Sequence, residues 1–332
     1  MEPSYLALYH SGELSHRAET LEARLASCNN CPRKCRVNRL ENKHGYCHSG
    51  YLPIISAVCD HRGEEPVISG TNGTGAIFFG NCNMSCVYCQ NYQISQDSEH
   101  QISKETSFQV LVNKMLYLQD ELGCHSISFI SPSHFTAQLV RAVLEAIPRG
   151  LHLPLIYNTN AYDSVASLRM LEGVIDIYLP DMKYASSTYA KKYSDTPNYV
   201  LYAHKAIKEM YRQVGKNLVL DSNRLVQRGL IIRHLILPSQ IAGTRKSLSW
   251  IAKELSPEIA VSIMSQYFPT HLAKRIPQLC RRISALEYEE TLEVLDELGM
   301  ENGWIQEMDA ADNYKPHFKE NGHPFCLDNK LL

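Results

Sequence analysis

Eleven cysteines stand in this 332-residue chain, and seven of them fall in two tight groups: Cys28, Cys31, Cys35 and Cys47, then Cys82, Cys86 and Cys89. An odd total bunched so closely argues for metal binding rather than a disulfide framework. The second group sits in Gly80-Asn81-Cys82-Asn83-Met84-Ser85-Cys86-Val87-Tyr88-Cys89-Gln90-Asn91, a CxxxCxxC spacing directly after an apolar run. Three is the informative number. A structural zinc site takes four ligands and a plain electron-transfer cluster takes four thiolates, so three thiols on a 4Fe-4S cubane leave one iron open. The competing reading makes these cysteines three of four zinc ligands, with His134 as the fourth. It requires the position after a strand, the spacing and the aromatic Tyr88 all to be coincidence.

An open iron can chelate the amino and carboxylate groups of S-adenosylmethionine. Reduction then breaks the C–S bond homolytically, and the resulting 5'-deoxyadenosyl radical abstracts hydrogen from unreactive C–H bonds. The protein orients the partners and excludes water. Cys82, Cys86 and Cys89 are therefore the candidate catalytic and cluster-ligating residues, and Tyr88 is placed to pack on the adenine. The first group supplies four thiols, enough to close a coordination shell around zinc or around an auxiliary iron-sulfur cluster, and thiolate ligands alone do not separate the two. His44 and His48 flank Cys47 as substitute ligands. The remaining cysteines, Cys59, Cys124, Cys280 and Cys326, sit mostly among apolar neighbours and read as inert thiols.

The elements that must position these residues follow from periodicity. Ala76 to Phe79, Ser126 to Ile130, Pro154 to Asn158, Val174 to Leu179, Leu230 to Leu237 and Ile259 to Ser265 have the length and β-branched content of buried parallel strands. Between them, Phe108 to Leu122, Ala137 to Ile147, Ser164 to Leu171, Tyr202 to Val214 and Lys246 to Leu255 carry apolar residues three and four apart, as helices packed on a sheet do. Such alternation makes an α/β barrel or a doubly wound sheet. In a barrel the chemistry sits at the C-terminal strand ends. There the sequence places Ser131, Ser133 and His134, then Asn158, Thr159 and Asn160, then Asp181 and Lys183, and finally Gln266 with Tyr267. Three segments are expected: a cysteine-rich, metal-dependent extension over 1–72, a core barrel over 73–301, and a tail over 302–332 packing on that barrel. The glycine-rich stretch Gly70 to Gly75 does not fit the dinucleotide fingerprint and reads as a turn.

At these residues the sequence resembles the pyruvate formate-lyase activating enzyme-like family of the radical S-adenosylmethionine superfamily, in the branch with a cysteine-rich N-terminal extension. The resemblance runs from Cys28-Asn29-Asn30-Cys31-Pro32-Arg33-Lys34-Cys35-Arg36-Val37-Asn38-Arg39, through His61-Arg62-Gly63-Glu64-Glu65-Pro66 and the cysteine loop, to Arg228 to Leu235 and Met264-Ser265-Gln266-Tyr267. It implies a partial (β/α)6 TIM-like barrel of the radical S-adenosylmethionine type, a 4Fe-4S cluster on Cys82, Cys86 and Cys89, and S-adenosylmethionine as cofactor. It also implies cofactor contacts from Arg233, Thr159, Asp181 and Lys183, and an electron donor such as flavodoxin or ferredoxin. Two departures stand out. Ser131-Pro132-Ser133-His134 replaces the family's Gly-Gly-Glu segment, which makes Ser133 and His134 the positional candidates for the cofactor's amino group. Asn158 stands where the activating enzymes have Asp, which removes a charge beside the cofactor and weakens the case for activation of a glycyl radical enzyme. Gln266 completes the candidate cofactor-binding set.

Hydrophobic residues make up 44% of the chain and charged residues 20%, the balance of a folded globular protein. A net charge of −2 gives no field to steer the chain to nucleic acid or anionic lipid. The stretch with Arg33, Lys34, Arg36 and Arg39 is the feature that favours the alternative, a non-catalytic zinc or iron-sulfur module with RNA affinity, but it lacks interleaved aromatics. No apolar run approaches membrane-spanning length and the start does not read as a signal peptide, so a cytoplasmic enzyme is expected. Its substrate, a protein glycine, another protein site or a small molecule, is not encoded in any motif.

Overall fold

The computed structural model describes residues 2–310, 315–318 and 323–325. Among the described residues, nine strands alternate with helices: β1 (Ile55–His61), β2 (Thr74–Phe79), β3 (Ile127–Ile130), β4 (Leu155–Thr159), β5 (Ile177–Pro180), β6 (Val219–Leu220), β7 (Val226–Leu235), β8 (Ala260–Met264) and β9 (Gly303–Ile305). They pair in the order β1-β2-β3-β4-β5-β7-β8-β9, with β6 a short antiparallel partner of β7. From β2 to β9 every neighbouring pair on this path is parallel, while β1 joins β2 antiparallel. The six strands expected from the sequence are β2, β3, β4, β5, β7 and β8, and they form the body of an α/β, barrel-like sheet that is open between β1 and β9.

Strands β2, β3, β4, β5 and β8 are buried at every position, which is why their sequences are almost continuously apolar rather than alternating. Successive side chains still go to opposite faces. Ile77 and Phe79 pack with the helices on the outer face, whereas Ala76 and Phe78 meet Ile130 on the inner face. Further along the inner face, Ile156, Ile177, Leu179 and Ile231 close around Ile68 of the short helix Pro66–Ser69. The outer helices include Phe108–Asp120, Thr136–Ala146, Val165–Leu171, Tyr199–Val214 and Thr244–Glu254. Phe108–Asp120 starts at Ser107, whose hydroxyl accepts from the Val110 N–H, and it buries Leu111, Val112, Met115 and Leu118 on one stripe. Each such side chain contributes about 2 kcal/mol by leaving water.

The first 72 residues do not stand apart from this body. Helix Glu13–Ala23 packs on Thr136–Ala146, the Tyr5 hydroxyl donates to the Leu153 carbonyl at 2.9 Å, and β1 is the sheet's antiparallel edge. Of the tail, β9 extends the opposite edge, and it can lie so close to β8 because position 303 is glycine: a Cβ there would sit 1.8 Å from the Val261 oxygen. Much of the expected tail, with Cys326, falls outside the described residues.

Candidate functional site

The cysteine loop leaves the C-terminal end of β2 under close steric control. A Cβ on Gly80 would come within 2.4 Å of Ile54, so only glycine lets the chain turn there. Asn81 follows in the left-handed region (φ 63°), where asparagine is tolerated, and its N–H donates to the Ile94 carbonyl at 2.7 Å. Downstream, the Ser85 and Val87 N–H groups donate to the Ser194 and Tyr193 carbonyls at 3.0 and 2.8 Å. The Asn83 side chain donates to the Tyr162 carbonyl at 2.8 Å and accepts from Asn160 at 2.8 Å. A loop held at so many points presents its side chains in a fixed array.

That array faces a chamber of about 140 Å³ lined by Cys82, Cys86, Cys89 and Tyr88 from the loop. Across it stand Asn158, Thr159 and Asn160 from the end of β4, Asp181 and Lys183 after β5, and Arg233 from β7. The separation in sequence is large, yet each group comes from the same end of a parallel strand, the geometry that gathers reactive residues at one mouth. Tyr88 is buried and meets Tyr184 and Tyr267 edge-on, with ring centroids 6.3 and 6.0 Å away.

Polar order in the chamber centres on Arg233. Its Nε donates to Asp181 Oδ1 at 2.9 Å, Nη1 to Glu64 Oε2 at 2.9 Å and Nη2 to Asn158 Oδ1 at 2.8 Å. Lys183 Nζ reaches Asp181 Oδ2 at 2.7 Å. Burial works against ionising Asp181, but Arg233 and Lys183 outweigh it and hold the carboxyl below its ordinary pKa. For Glu64 burial wins over Arg233, and its pKa is raised. Glu64 is buried, with a side-chain exposure of 8%, against the chamber's arginine.

The thiols are set for ionisation only in the company of a cation. Burial, reinforced by Cys86, pushes Cys82 up to about 12, and burial lifts Cys86 to about 11 against the pull of Lys183. Meanwhile the Met84 N–H and the Asn160 amide approach Cys82 Sγ at 3.4 and 3.5 Å, and Ser95 Oγ lies 3.2 Å from Cys89 Sγ. Donors aimed at sulfur stabilise thiolate, the form that binds metal. Among the described residues, no three His, Cys, Asp or Glu side chains are grouped closely enough to hold a single ion. The three sulfurs line the chamber together.

Ser131 also lines the chamber, in a left-handed conformation (φ 55°), whereas Ser133 and His134 of the following 3-10 turn, Pro132–His134, do not. Ser133 lies 3.1 Å from the Thr159 hydroxyl, in a buried set with Asp163. His134 Nε2 donates to the Gly80 carbonyl at 2.9 Å, and the ring lines a second, much smaller cavity with Cys28, Cys31, Cys35 and Cys47. Thus His134 does not join the zinc-type set with the cysteine loop. Gln266 lines a larger inner cavity of about 540 Å³, bounded by His61, Glu64, Glu65, Phe78 and Trp304, which shares Asn91, Ile130, Asn158 and Arg233 with the chamber. Arg33 and Arg39, half of the basic stretch that favours RNA affinity, are turned inward. Arg33 donates to the Asn83 and Asp195 carbonyls at 2.9 and 2.7 Å and stacks on Tyr46, and Arg39 is 1% exposed.

No known protein-family profile matches the chain. It is similar to the uncharacterized protein MJ0674 of Methanocaldococcus jannaschii, with 28% identity over 284 residues, 83% of this chain and 76% of that protein. Among solved structures it superposes on HydG, a maturase of the [FeFe]-hydrogenase, with a TM-score of 0.46 at 13% identity, covering 72% of this chain and 53%, about half, of that one. A radical SAM methyltransferase from Sphaerobacter thermophilus gives a TM-score of 0.44 at 10% identity, covering 70% and 66%. No helix among the described residues is long and apolar enough to cross a membrane.

Proposed function

We propose that this chain is a radical S-adenosylmethionine enzyme, similar to the pyruvate formate-lyase activating enzymes, whose 4Fe-4S cluster is held by Cys82, Cys86 and Cys89. The observation that carries the reading is the shared chamber: three thiols of a CxxxCxxC loop face Asn158, Thr159, Asp181, Lys183 and Arg233 across the C-terminal ends of parallel strands. When bound, the cluster and S-adenosylmethionine supply a one-electron cleavage yielding a 5'-deoxyadenosyl radical that abstracts hydrogen from an unactivated C–H bond.

The chain's own residues do the rest. Lys183 sets a positive charge beside the cysteine sulfurs and is itself fixed by Asp181, so the negative cluster meets a cation at no cost of reorganisation. Thr159, Asn160 and Asp181 offer hydrogen-bonding atoms for the polar groups of the cofactor. Arg233 has all three edges engaged, so it meets a carboxylate only by releasing Glu64 or Asn158. Asn158 keeps the chamber one negative charge poorer than an aspartate would. Tyr88, Tyr184 and Tyr267 wall out water on the loop side. The adjoining cavity of about 540 Å³ is of a size usual for small ligands and receives the substrate. In its wall Glu65 Oε2 is buried without a hydrogen-bond partner, which suits a substrate bearing a donor group. An external one-electron donor of the flavodoxin or ferredoxin kind completes the reaction.

The test is anaerobic reconstitution with iron and sulfide, reduction, addition of S-adenosylmethionine and measurement of 5'-deoxyadenosine. Wild-type protein forms it and Cys86→Ala does not, although Cys86→Ala keeps its helical circular dichroism. Equal product from both proteins removes the assignment.

A further inference from the structure

Where the cysteine chamber opens into the cavity of about 540 Å³, buried carboxylates outnumber cations. Arg233 and Lys183 carry the positive charges, and Asp181 and Glu64 answer both. Asp181 takes Arg233 Nε at 2.9 Å and Lys183 Nζ at 2.7 Å, and Glu64 Oε2 takes Arg233 Nη1 at 2.9 Å. The other oxygen of Glu64 accepts from the Asn158 amide at 3.3 Å. Glu65 is left over. It is 7% exposed, and its Oε2 has no hydrogen-bond partner. The remaining basic groups in the cavity wall do not serve it: Arg62 is turned to Asp60 at 3.2 Å with its side chain 57% exposed, and burial lowers the pKa of His61 to about 4, which keeps the ring neutral.

The segment that carries Glu65 is fixed. Its carbonyl accepts from the Ile68 and Ser69 N–H groups at 2.8 and 3.0 Å, and the Ser69 hydroxyl donates to the Glu64 carbonyl at 3.0 Å. Burial, reinforced by Glu64, raises the pKa of Glu65. A carboxylate in such a place is costly until a counter-charge arrives.

The atoms left without partners say what that counter-charge carries. Among the described residues, the buried side-chain atoms of the cavity wall that lack a partner are Glu65 Oε2 and Gln306 Oε1, and both are acceptors. Gln306 has its amide nitrogen on Gln266 Oε1 at 3.0 Å, which leaves the oxygen as the free end. An occupant that satisfies this wall brings donors rather than acceptors. A protonated amine has three N–H donors and no acceptor, whereas a carboxylate or phosphate group offers acceptors alone. Phe78 and Trp304 in the same wall add aromatic surface, on which an organic cation gains further. Glu65 and Gln306 line the cavity but not the cysteine chamber, and Arg233 stands where the two join. An ammonium drawn to the Glu65 end leaves the carbon part of the molecule toward the cysteines.

We propose that the substrate is a small amine bound as its cation, with its nitrogen on Glu65 and its carbon frame against Phe78 and Trp304. The word substrate rests on the radical reading of the cysteine loop; the cation site is tested by binding alone. Full-length protein, reconstituted anaerobically, is titrated calorimetrically with three molecules matched in shape: phenethylamine, phenethyl alcohol and hydrocinnamate. S-adenosylmethionine affinity is measured alongside. The amine binds about 10-fold more tightly than the alcohol, as a charge-assisted hydrogen bond in a buried site gives, and the acid binds more weakly than either. Glu65→Gln keeps the shape and removes the charge, so it brings the amine down to the level of the alcohol, whose own affinity does not change. Glu65→Asp restores part of the preference. Equal affinity of the wild-type protein for amine and alcohol, preference for the acid, or an amine preference that survives in Glu65→Gln overturns the proposal. So does a Glu65→Gln protein that loses S-adenosylmethionine affinity in place of the amine preference, since that assigns the carboxylate to the cofactor. Because binding is read without turnover, absence of 5'-deoxyadenosine with the amine preference intact strikes the radical reading and leaves the cation site standing.

Discussion

The two cysteine regions solve opposite problems. The loop after β2 offers three thiols to a chamber of about 140 Å³ that continues into a larger cavity, so the group it holds must remain reachable. The N-terminal ring offers four thiols to a void of about 10 Å³ walled by Arg39, Asn30 and His134, so whatever it holds is sealed. One lies on a loop locked by the barrel's own hydrogen bonds. The other lies on a segment of left-handed turns whose shape has no comparable support from secondary structure. An open site with a ligand missing suits chemistry, and a closed site of four thiols suits structure.

Four substitutions press on that difference. The largest effect is expected for Cys86→Ala, which leaves an iron without its thiolate at the open site: 5'-deoxyadenosine formation falls to background while the apparent melting temperature moves by only a few degrees, because a loop ligand adds little to the core. At the closed site Cys47→Ser reverses the pattern. The melting temperature falls by on the order of 10 °C, as expected if the ring holds a structural metal, while 5'-deoxyadenosine formation is retained. Replacing Arg233 with Met leaves Glu64 buried without its arginine and Asp181 with Lys183 alone, a loss of roughly 3–5 kcal/mol when one partner of a buried ion pair is removed. Thermal melts and binding titrations are expected to show lower stability together with weaker S-adenosylmethionine affinity, and unchanged values of both would separate Arg233 from the site. The smallest effect is expected for Arg39→Met, which removes the side chain that donates to the Gly50 and His134 carbonyls behind the closed site: the melting temperature falls by a few degrees, with 5'-deoxyadenosine formation untouched.

Much of this arrangement is legible in the sequence, for identifiable reasons. Strands β2, β3, β4, β5 and β8 announce themselves because burial on both faces demands nearly unbroken apolar runs, and β7 through the apolar Leu230 to Ile232 at its centre. Strand β1 does not, being an edge whose residues Ile55 to Asp60 are mostly half-buried, and β9 is three residues long. The chamber's cysteines, Asn158, Thr159, Asp181 and Lys183 can be anticipated because each ends or follows a strand, and Arg233 through the family resemblance. Glu64 cannot be placed that way: it arrives from the turn between β1 and the short helix Pro66–Ser69, and only the inward course of that segment brings it to Arg233. Ser133 and His134 mislead for the converse reason. They follow a strand, but the left-handed Ser131 reverses the backbone and sends one toward Thr159 and the other to the N-terminal ring. Spacing specifies four clustered thiols at Cys28 to Cys47. The small void between them and its wall of Arg39, Asn30 and His134 exist only in three dimensions.

The most direct test of the open site is electron paramagnetic resonance of the reduced, anaerobically reconstituted protein, recorded with and without S-adenosylmethionine and paired with the Cys28, Cys31, Cys35 and Cys47 quadruple Ser variant. The expected result is a 4Fe-4S signal that persists in the variant and shifts when S-adenosylmethionine is added. A signal indifferent to S-adenosylmethionine in both proteins, or zinc as the only metal after reconstitution, would contradict the reading of Cys82, Cys86 and Cys89 as the catalytic centre.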